Sequence, residues 1–515
     1  MNRRDIGIAL IFALFAGGHP ATSQSAGRAT SAASTKASKG SYTPSIPKVW
    51  DDAAMEKLEL PRASRVKIHE LPSEYYYRIP ERTIWKTYPI YAPGKEPAGY
   101  WEWLQQQEPK KAVEWDKLRT AADWIRAGSL VFEAGADYSD PVKGFLPVRD
   151  PEWFKATAVK TTPDGVMPYY RYVIRQKGKV EVTQDSCASC HTRVMPDGTL
   201  VRGAQGNVPF GRIFAYAIRS IPPNTPDRFF TDLFYATPWI KPDPTSPLSS
   251  KSMAEFAAHL RTIPEGVNPR QGTSAMYPIQ IPDLIGVKDR AYLDRTGLQP
   301  HRGILDLMRY DAVQNFINEV RDYDGFIPAN DPGDTKLPDP AKLTRESDRA
   351  LYALAEYVYS LKPPPNPNRF DAVAAKGKKI FASEGCAKCH TPPLYTNNML
   401  TPVEGFLLTE EERKAYRVMP VVVGTDPFNA LNTRRGTGFY KVPSLKGVWY
   451  RGPFQHNGSV ATLEDWFDVH RLDENYVPTG YHGYATPIHP VAGHEFGLDL
   501  TAEEKRELIA FLRTL

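Results

Sequence analysis

Cys386-Ala387-Lys388-Cys389-His390 repeats the pattern of Cys187-Ala188-Ser189-Cys190-His191, and the two stretches use all four cysteines of the chain. C-x-x-C-H is the attachment signature of c-type haem. Two thiols three residues apart each bond one vinyl group of the porphyrin. The imidazole that follows then lies beneath the ring and takes one axial position on the iron. A zinc site wants its Cys pairs roughly 15–20 residues apart, whereas here Cys190 and Cys386 lie in different halves of the chain. A thioredoxin-like pair has no need of a following His, and disulfides give no reason for the spacing. Two covalently attached haem c groups are therefore expected, one on Cys187 and Cys190 with His191, the other on Cys386 and Cys389 with His390.

Length and charge narrow the class. A chain of 515 residues holds about two to four domains. Sixty-four Lys and Arg face 59 Asp and Glu, with no long basic tract, so nucleic acid is not an expected partner. The 47 prolines are nearly twice the usual share of about 5% and announce irregular connections. The amino terminus reads as an export signal over residues 1–23. Arg3 and Arg4 are its positive region, Ile6 to Phe15 its apolar core, and Ala21-Thr22-Ser23 its small-residue cleavage site. The Arg pair invites a twin-arginine route. Haem c is attached to an unfolded chain after export, which favours the general secretory route. Periplasm or secretion is expected, and no later apolar run is long enough for an integral membrane segment.

Residues 24–45, rich in Ser, Ala, Thr and Lys, read as a disordered spacer. A Pro- and aromatic-rich region follows, with a helix over Glu114 to Ala127 and a hairpin over Tyr169 to Val182 turning at Lys177-Gly178. That hairpin runs into the first motif. Beyond it come loops carrying Pro222, Pro223, Pro238, Pro242, Pro244 and Pro247, and helices over Met253 to Arg261, Asp306 to Val320 and Thr344 to Leu361. The run Lys362-Pro363-Pro364-Pro365-Asn366-Pro367 ends the last of these. The spacing then predicts helices over Phe370 to Ser383 and from Thr501, whose Glu504 completes a capping box. The fold class expected is mainly α with irregular loops. It comprises two cytochrome c-like haem domains, 46–362 and 369–515, the first enlarged by the Pro/aromatic-rich region and its small β-hairpin.

Val442-Pro443-Ser444-Leu445-Lys446-Gly447-Val448-Trp449, Gly452-Pro453-Phe454-Gln455-His456-Asn457-Gly458-Ser459, Thr462-Leu463-Glu464 and Gly493-His494-Glu495-Phe496-Gly497 resemble blocks of the bacterial di-haem cytochrome c peroxidase superfamily. That superfamily includes quinone-maturing di-haem enzymes and rubber oxygenases. The resemblance implies one haem, on His191, that reacts with peroxide or dioxygen. It implies a second, on His390, that relays electrons from a small redox protein or other donor. Arg451 stands where the peroxidases carry a Thr that helps hold an interdomain calcium ion, which leaves calcium doubtful. The long gap between the motifs and the large leading region fit the rubber-oxygenase branch, or an uncharacterised one, better than the ordinary peroxidases.

A relay haem needs a second strong axial ligand. Five of the eleven histidines lie late: His456, His470, His482, His489 and His494. His494 is the first choice, because Gly493 lets backbone approach the haem and rubber oxygenases use a late His. His470 is the alternative the resemblance implies, standing 14 residues after His456 where the peroxidases place a Met and the quinone-maturing enzymes a Tyr. His456 suits a propionate contact, and Met419 is an outside candidate. At the first haem His301, Met276, Met308, Tyr310 and Phe316 are candidates for the distal side, each more often plain core. Trp239 is a candidate electron relay. An exported di-haem oxidoreductase is the leading reading. Its rivals are a pure electron-transfer cytochrome and an oxygenase cleaving an apolar polymer such as polyisoprene.

Overall fold

The computed structural model describes residues 42–220, 237–243, 246, 251–270, 273, 275–330, 333–483 and 487–515, with the side chains of residues 220, 315 and 316 left aside. The signal segment, most of the spacer, Pro222, Pro223, Pro244, Pro247 and the side chain of Phe316 lie outside these residues. Within them helices mix with small sheets, so the architecture is less purely helical than the sequence suggested.

The largest sheet is antiparallel and built before the first motif. Strand β1 (Thr87–Tyr91) lies at one edge. Helix α1 (Ala121–Glu133) follows, then the short strand β2 (Asp137–Ser139) and the hairpin of β3 (Val166–Gln176) and β4 (Lys179–Gln184). The spatial order is β1-β3-β4-β2, with Tyr172 opposite Val182 and Gln176 opposite Lys179. The turn at Lys177-Gly178 closes as expected, Gly178 taking a φ of +79° that other residues resist. β3 is buried on both faces rather than alternating, because Tyr169, Tyr172 and Ile174 join a core with Trp153 and Ile213.

Helix α1 starts later than the sequence periodicity indicated. Residues 115–117 form only a single tight turn, and Thr120 then caps the helix. Its hydroxyl accepts from Asp123 N while the Asp123 carboxylate accepts from Thr120 N, satisfying two end donors at once. The apolar period survives on Trp124, Ala127 and Val131, all buried.

After the motif helix α2 (Cys187–Cys190) come α3 (Phe210–Ala217), α4 (Met253–Thr262) and α5 (Ile304–Ala312). The segment read as one helix to Val320 in fact widens into a π turn over Val313–Ile317. Helix α6 (Asp348–Ser360) is capped by Ser347 and stops ahead of the prolines. Helix α7 (Ala372–Ser383) delivers the second motif, and α8 (Ala502–Arg513) closes the chain with the expected Thr501–Glu504 box.

Two helix crossings organise the molecule. α1 packs on α6, and α7 packs on α8. Each crossing turns on one glycine. A Cβ on Gly128 would lie 1.9 Å from the Ala353 carbonyl oxygen and 2.7 Å from Tyr357 Cβ. A Cβ on Gly377 would lie 1.9 Å from the Glu507 carbonyl oxygen and 2.9 Å from Phe511 Cβ. The partners in both cases are spaced i, i+4, so the two crossings have the same construction. In the second half α7 leads straight to Cys386. In the first, strands β2, β3 and β4 are inserted between α1 and Cys187.

Candidate functional site

Each motif opens on its own cavity. The first, of about 280 Å³, is lined by Cys187, Cys190 and His191. Leu351, Leu354, Ala355 and Val358 of α6 form an apolar wall, and α5 with its π turn presents Leu307, Tyr310, Asp311 and Gln314. Those four recur at i, i+3, i+4 and i+7, one face of a helix. Burial and the Arg270 charge bring His191 down to about 3, against the pull of the Pro282 carbonyl, so its imidazole stays neutral. Neutral imidazole is the form that binds metal.

The first cavity has a polar corner. The Tyr310 hydroxyl donates to Asp294 Oδ2 at 2.9 Å, and Arg270 Nη1 donates to the same hydroxyl at 3.4 Å. Arg435 also reaches Asp294, at 3.3 Å. Burial would raise the Asp294 carboxyl, yet the two guanidiniums hold it down to about 2. Burial pushes Tyr310 up to about 12, so it remains a phenol that donates.

No second His and no Met lines this cavity among the described residues. His301 is instead bound at both ring nitrogens, to the Arg290 carbonyl oxygen at 2.8 Å and the Tyr359 hydroxyl at 2.7 Å. Met308 is fully buried in the core of α1 and α6, and Met276 packs beside Leu260. Of the distal candidates whose side chains are described, the cavity takes only Tyr310. Trp239 lines neither cavity; it stacks on Tyr323 at 5.4 Å.

The second cavity, of about 400 Å³, is lined by Cys386, Cys389, His390, Met419, His456 and His494. The Nδ1 of His390 faces the Pro443 and Tyr395 carbonyl oxygens at 3.1 and 3.2 Å. Donating there would fix the tautomer and leave Nε2 unprotonated, able to hold a metal. The His390 and His494 ring centroids lie 6.3 Å apart. An imidazole nitrogen sits about 1.1 Å from its ring centroid and about 2.0 Å from a metal it ligates, so two imidazoles trans on one ion stand about 6.2 Å apart. The observed spacing matches that. Burial lowers His390 to about 4 and His494 to about 3, so both are neutral. His494 has φ +50° and a buried Nδ1 without a hydrogen-bond partner among the described residues.

The alternative ligand is elsewhere. His470 is exposed at the surface, paired with Asp473 at 3.0 Å, because the turn Val469–Leu472 carries it outward. His482 and His489 line neither cavity. His456 stacks on Tyr440 at 4.5 Å, with Asp426 at 3.6 Å from its Nε2. Met419 Sδ lies 3.8 Å from Cys389 Sγ, beside the thiols rather than facing His390 across the cavity.

One element escaped the sequence reading although its signal was there. Pro282-Asp283-Leu284-Ile285-Gly286-Val287, with Arg290 beyond, repeats Pro443-Ser444-Leu445-Lys446-Gly447-Val448 with Arg451 beyond. In the second copy the Pro443 carbonyl faces His390 Nδ1 at 3.1 Å, in the first Pro282 lines the cavity beside His191, and in both the Gly takes a positive φ, +74° and +77°. In both the Arg returns to the residue after the Pro: Arg290 to the Asp283 carbonyl, Arg451 to the Ser444 carbonyl at 2.7 Å. Arg290, Arg295, Lys441 and Arg451 thereby gather where the cavities approach each other, around a cleft of about 20 Å³.

No known family profile matches the chain. It is 26% identical over 162 residues to the cytochrome-c peroxidase IdrP1 of Denitromonas iodatirespirans, covering 28% of this chain and 40% of that one. IdrP2 of the same organism is also 26% identical, over 156 residues, with 27% and 38% covered. Both matches thus span well under half of the relatives' length. Among solved structures, a MauG-like protein associated with microbial copper homeostasis aligns with a TM-score of 0.28 at 18% identity, covering 46% of this chain and 73% of that one. Kuenenia stuttgartiensis hydrazine synthase aligns with a TM-score of 0.21 at 20% identity, covering 33% and 56%. The chain is a distant relative of the cytochrome-c peroxidases, which supports a haem oxidoreductase.

Proposed function

We propose that this chain is an exported di-haem c-type oxidoreductase that reduces peroxide at its first site and relays electrons through its second. Cys187, Cys190, Cys386 and Cys389 would carry the haems by thioether bonds, with His191 and His390 as the proximal ligands. The observation that carries the reading is the contrast between the cavities. The second has two neutral imidazoles at the separation of a trans pair. The first has one imidazole and, among the described residues lining it, no partner for it. Haem bound with both axial positions filled exchanges electrons, while haem with one position open also binds and reduces a small oxidant.

The residues of the first cavity fit that task. Reducing the O–O bond of peroxide takes two electrons and two protons and releases water. Arg270 presents a fixed positive charge where negative charge develops. Tyr310 and Asp294 hold a hydroxyl proton in a buried hydrogen bond beside it. Asp294 keeps the phenol neutral and donating, which argues against Tyr310 as a phenolate ligand.

The test is the optical and electron-paramagnetic-resonance spectrum of the purified holoprotein, before and after stoichiometric hydrogen peroxide. One high-spin and one low-spin haem, with the high-spin signal responding to peroxide, is expected. Two low-spin haems inert to peroxide would make this a pure electron carrier. A stable oxygen adduct without peroxide turnover would move the reading to an oxygenase.

A further inference from the structure

The wall between the two cavities is more positively charged than a protein interior tolerates unaided. Lys441 lines the small cleft and both cavities. Arg290 lines the cleft and the first cavity, while Arg295 and Arg451 line the cleft and the second. Among the described residues none of the four is in an ion pair. Their donors go to carbonyl oxygens: Lys441 Nζ to Tyr292 at 3.4 Å, Arg295 Nε to Gln280 at 3.2 Å, Arg290 Nη2 to Ile285 at 2.7 Å. The Nε of Arg451 is buried with no partner among the described residues. One carboxylate, Asp283, shares the cleft with the four cations and accepts from the Tyr450 hydroxyl at 2.9 Å, while Asp294 is engaged by Tyr310, Arg270 and Arg435. The second cavity is lined by Arg295, Lys388, Lys441 and Arg451 and by no acidic residue.

Buried positive charge in such excess over its counter-charge is costly. The strain shows in the groups themselves. Burial and the Arg451 and Arg290 charges bring Arg295 down to about 9, and burial with Arg290 and Arg295 takes Lys441 well down. A calcium ion would worsen the repulsion. A free phosphate does not fit either, since a cleft of about 20 Å³ holds roughly one water. The missing anions must reach in from the cavities.

We infer that Arg290, Arg295, Lys441 and Arg451 form one receptor for the propionate carboxylates of both haems, with Lys441 shared between them. The inference rests on the reading that both motifs carry haem. It assigns the role of an interdomain metal to fixed side chains, Arg451 occupying the very position that argued against calcium. A shared cation ties the two potentials together, because its charge favours the reduced form of each iron.

The experiment is spectroelectrochemical titration of the holoprotein, with haem content counted by intact mass. Lys441→Met is expected to lower both midpoint potentials, each by about tenfold in the reduction equilibrium, about 59 mV for a one-electron couple. Arg290→Gln is expected to move the first haem alone and Arg451→Gln the second alone, a pattern that stands even if Lys441→Met fails to fold. Lys177→Met, on the exposed hairpin turn, is expected to move neither. Calcium or a chelator is expected to leave the wild type unchanged. Two haems with potentials indifferent to all three cluster substitutions would overturn the inference alone, as would a chelator-sensitive potential. A wild-type chain carrying no haem would overturn the reading beneath it.

Discussion

His494 is a residue whose backbone and side chain tell the same story. A non-glycine held at φ +50° carries a backbone cost that a metal bond through its ring would offset. His494→Gly is expected to turn the second haem from low spin to high spin, and added imidazole to restore the original spectrum. In the first cavity, Tyr310→Phe keeps the ring and loses the proton donor, so peroxide turnover is expected to fall roughly 100-fold while the spectrum of the second haem is unchanged. Asp294 yields a pH statement. Its folded value lies below the 3.8 of an ordinary Asp, so its stabilising contribution is full above about pH 4 and is lost as pH falls through about 2. A shift of that size is worth roughly 2 kcal/mol. Urea unfolding of Asp294→Asn from pH 7 to acid is expected to show lower stability at neutrality and a shallower acid decline. His470 shows why a residue's role is hard to read from its offset alone. The same offset that fits other chains here ends in a surface turn, and only the path of the backbone between 456 and 470 decides it.

Helices were the most readable elements. The Asp371 cap of α7, the capping box of α8 and the apolar periods of both are local, and their packing across each other is the frame expected of a cytochrome c-like domain. The equivalent pair of the first half was not legible. α1 and α6 are separated by three strands of the sheet, the first motif, further helices and their irregular connections, and nothing in a helix's period names its distant partner. Their shared construction surfaces only through Gly128 and Gly377, which the sequence does not distinguish from other glycines. Gly128→Ala and Gly377→Ala each drive a methyl group into a carbonyl oxygen of the crossing helix. Each is expected to cost about 3 kcal/mol, the upper part of the range for overpacking, measurable as a shift in urea midpoint. The Gly377 variant is further expected to weaken the second haem's low-spin signal and leave the first intact. The Pro282 and Pro443 repeats were readable in principle, yet six-residue likenesses stand out only when the carbonyls are seen against the two imidazoles.

At the scale of the whole molecule the two halves are sewn together. Gln280 Nε2 donates to the Pro453 carbonyl at 2.9 Å, Gln205 Nε2 to the same carbonyl at 3.1 Å, and the Tyr450 hydroxyl to Asp283 at 2.9 Å. The second cavity itself takes Gln280 and Arg295 from the chain before residue 362. Calorimetry is therefore expected to give one cooperative transition, where independent halves would give two. The four-stranded sheet carries a different consequence. Three of its strands enter the first half between a crossing helix and the residues that helix would otherwise deliver directly. Enlarging a connection adds little entropy cost, since closure grows only with the logarithm of length. Asp137, Phe145, Leu146, Tyr170 and Asp185 of this insertion nevertheless form one wall of the first cavity. The insertion gives the molecule an interchangeable part: a new oxidant could be accommodated by redrawing that wall, with the gripping machinery beneath it left as inherited.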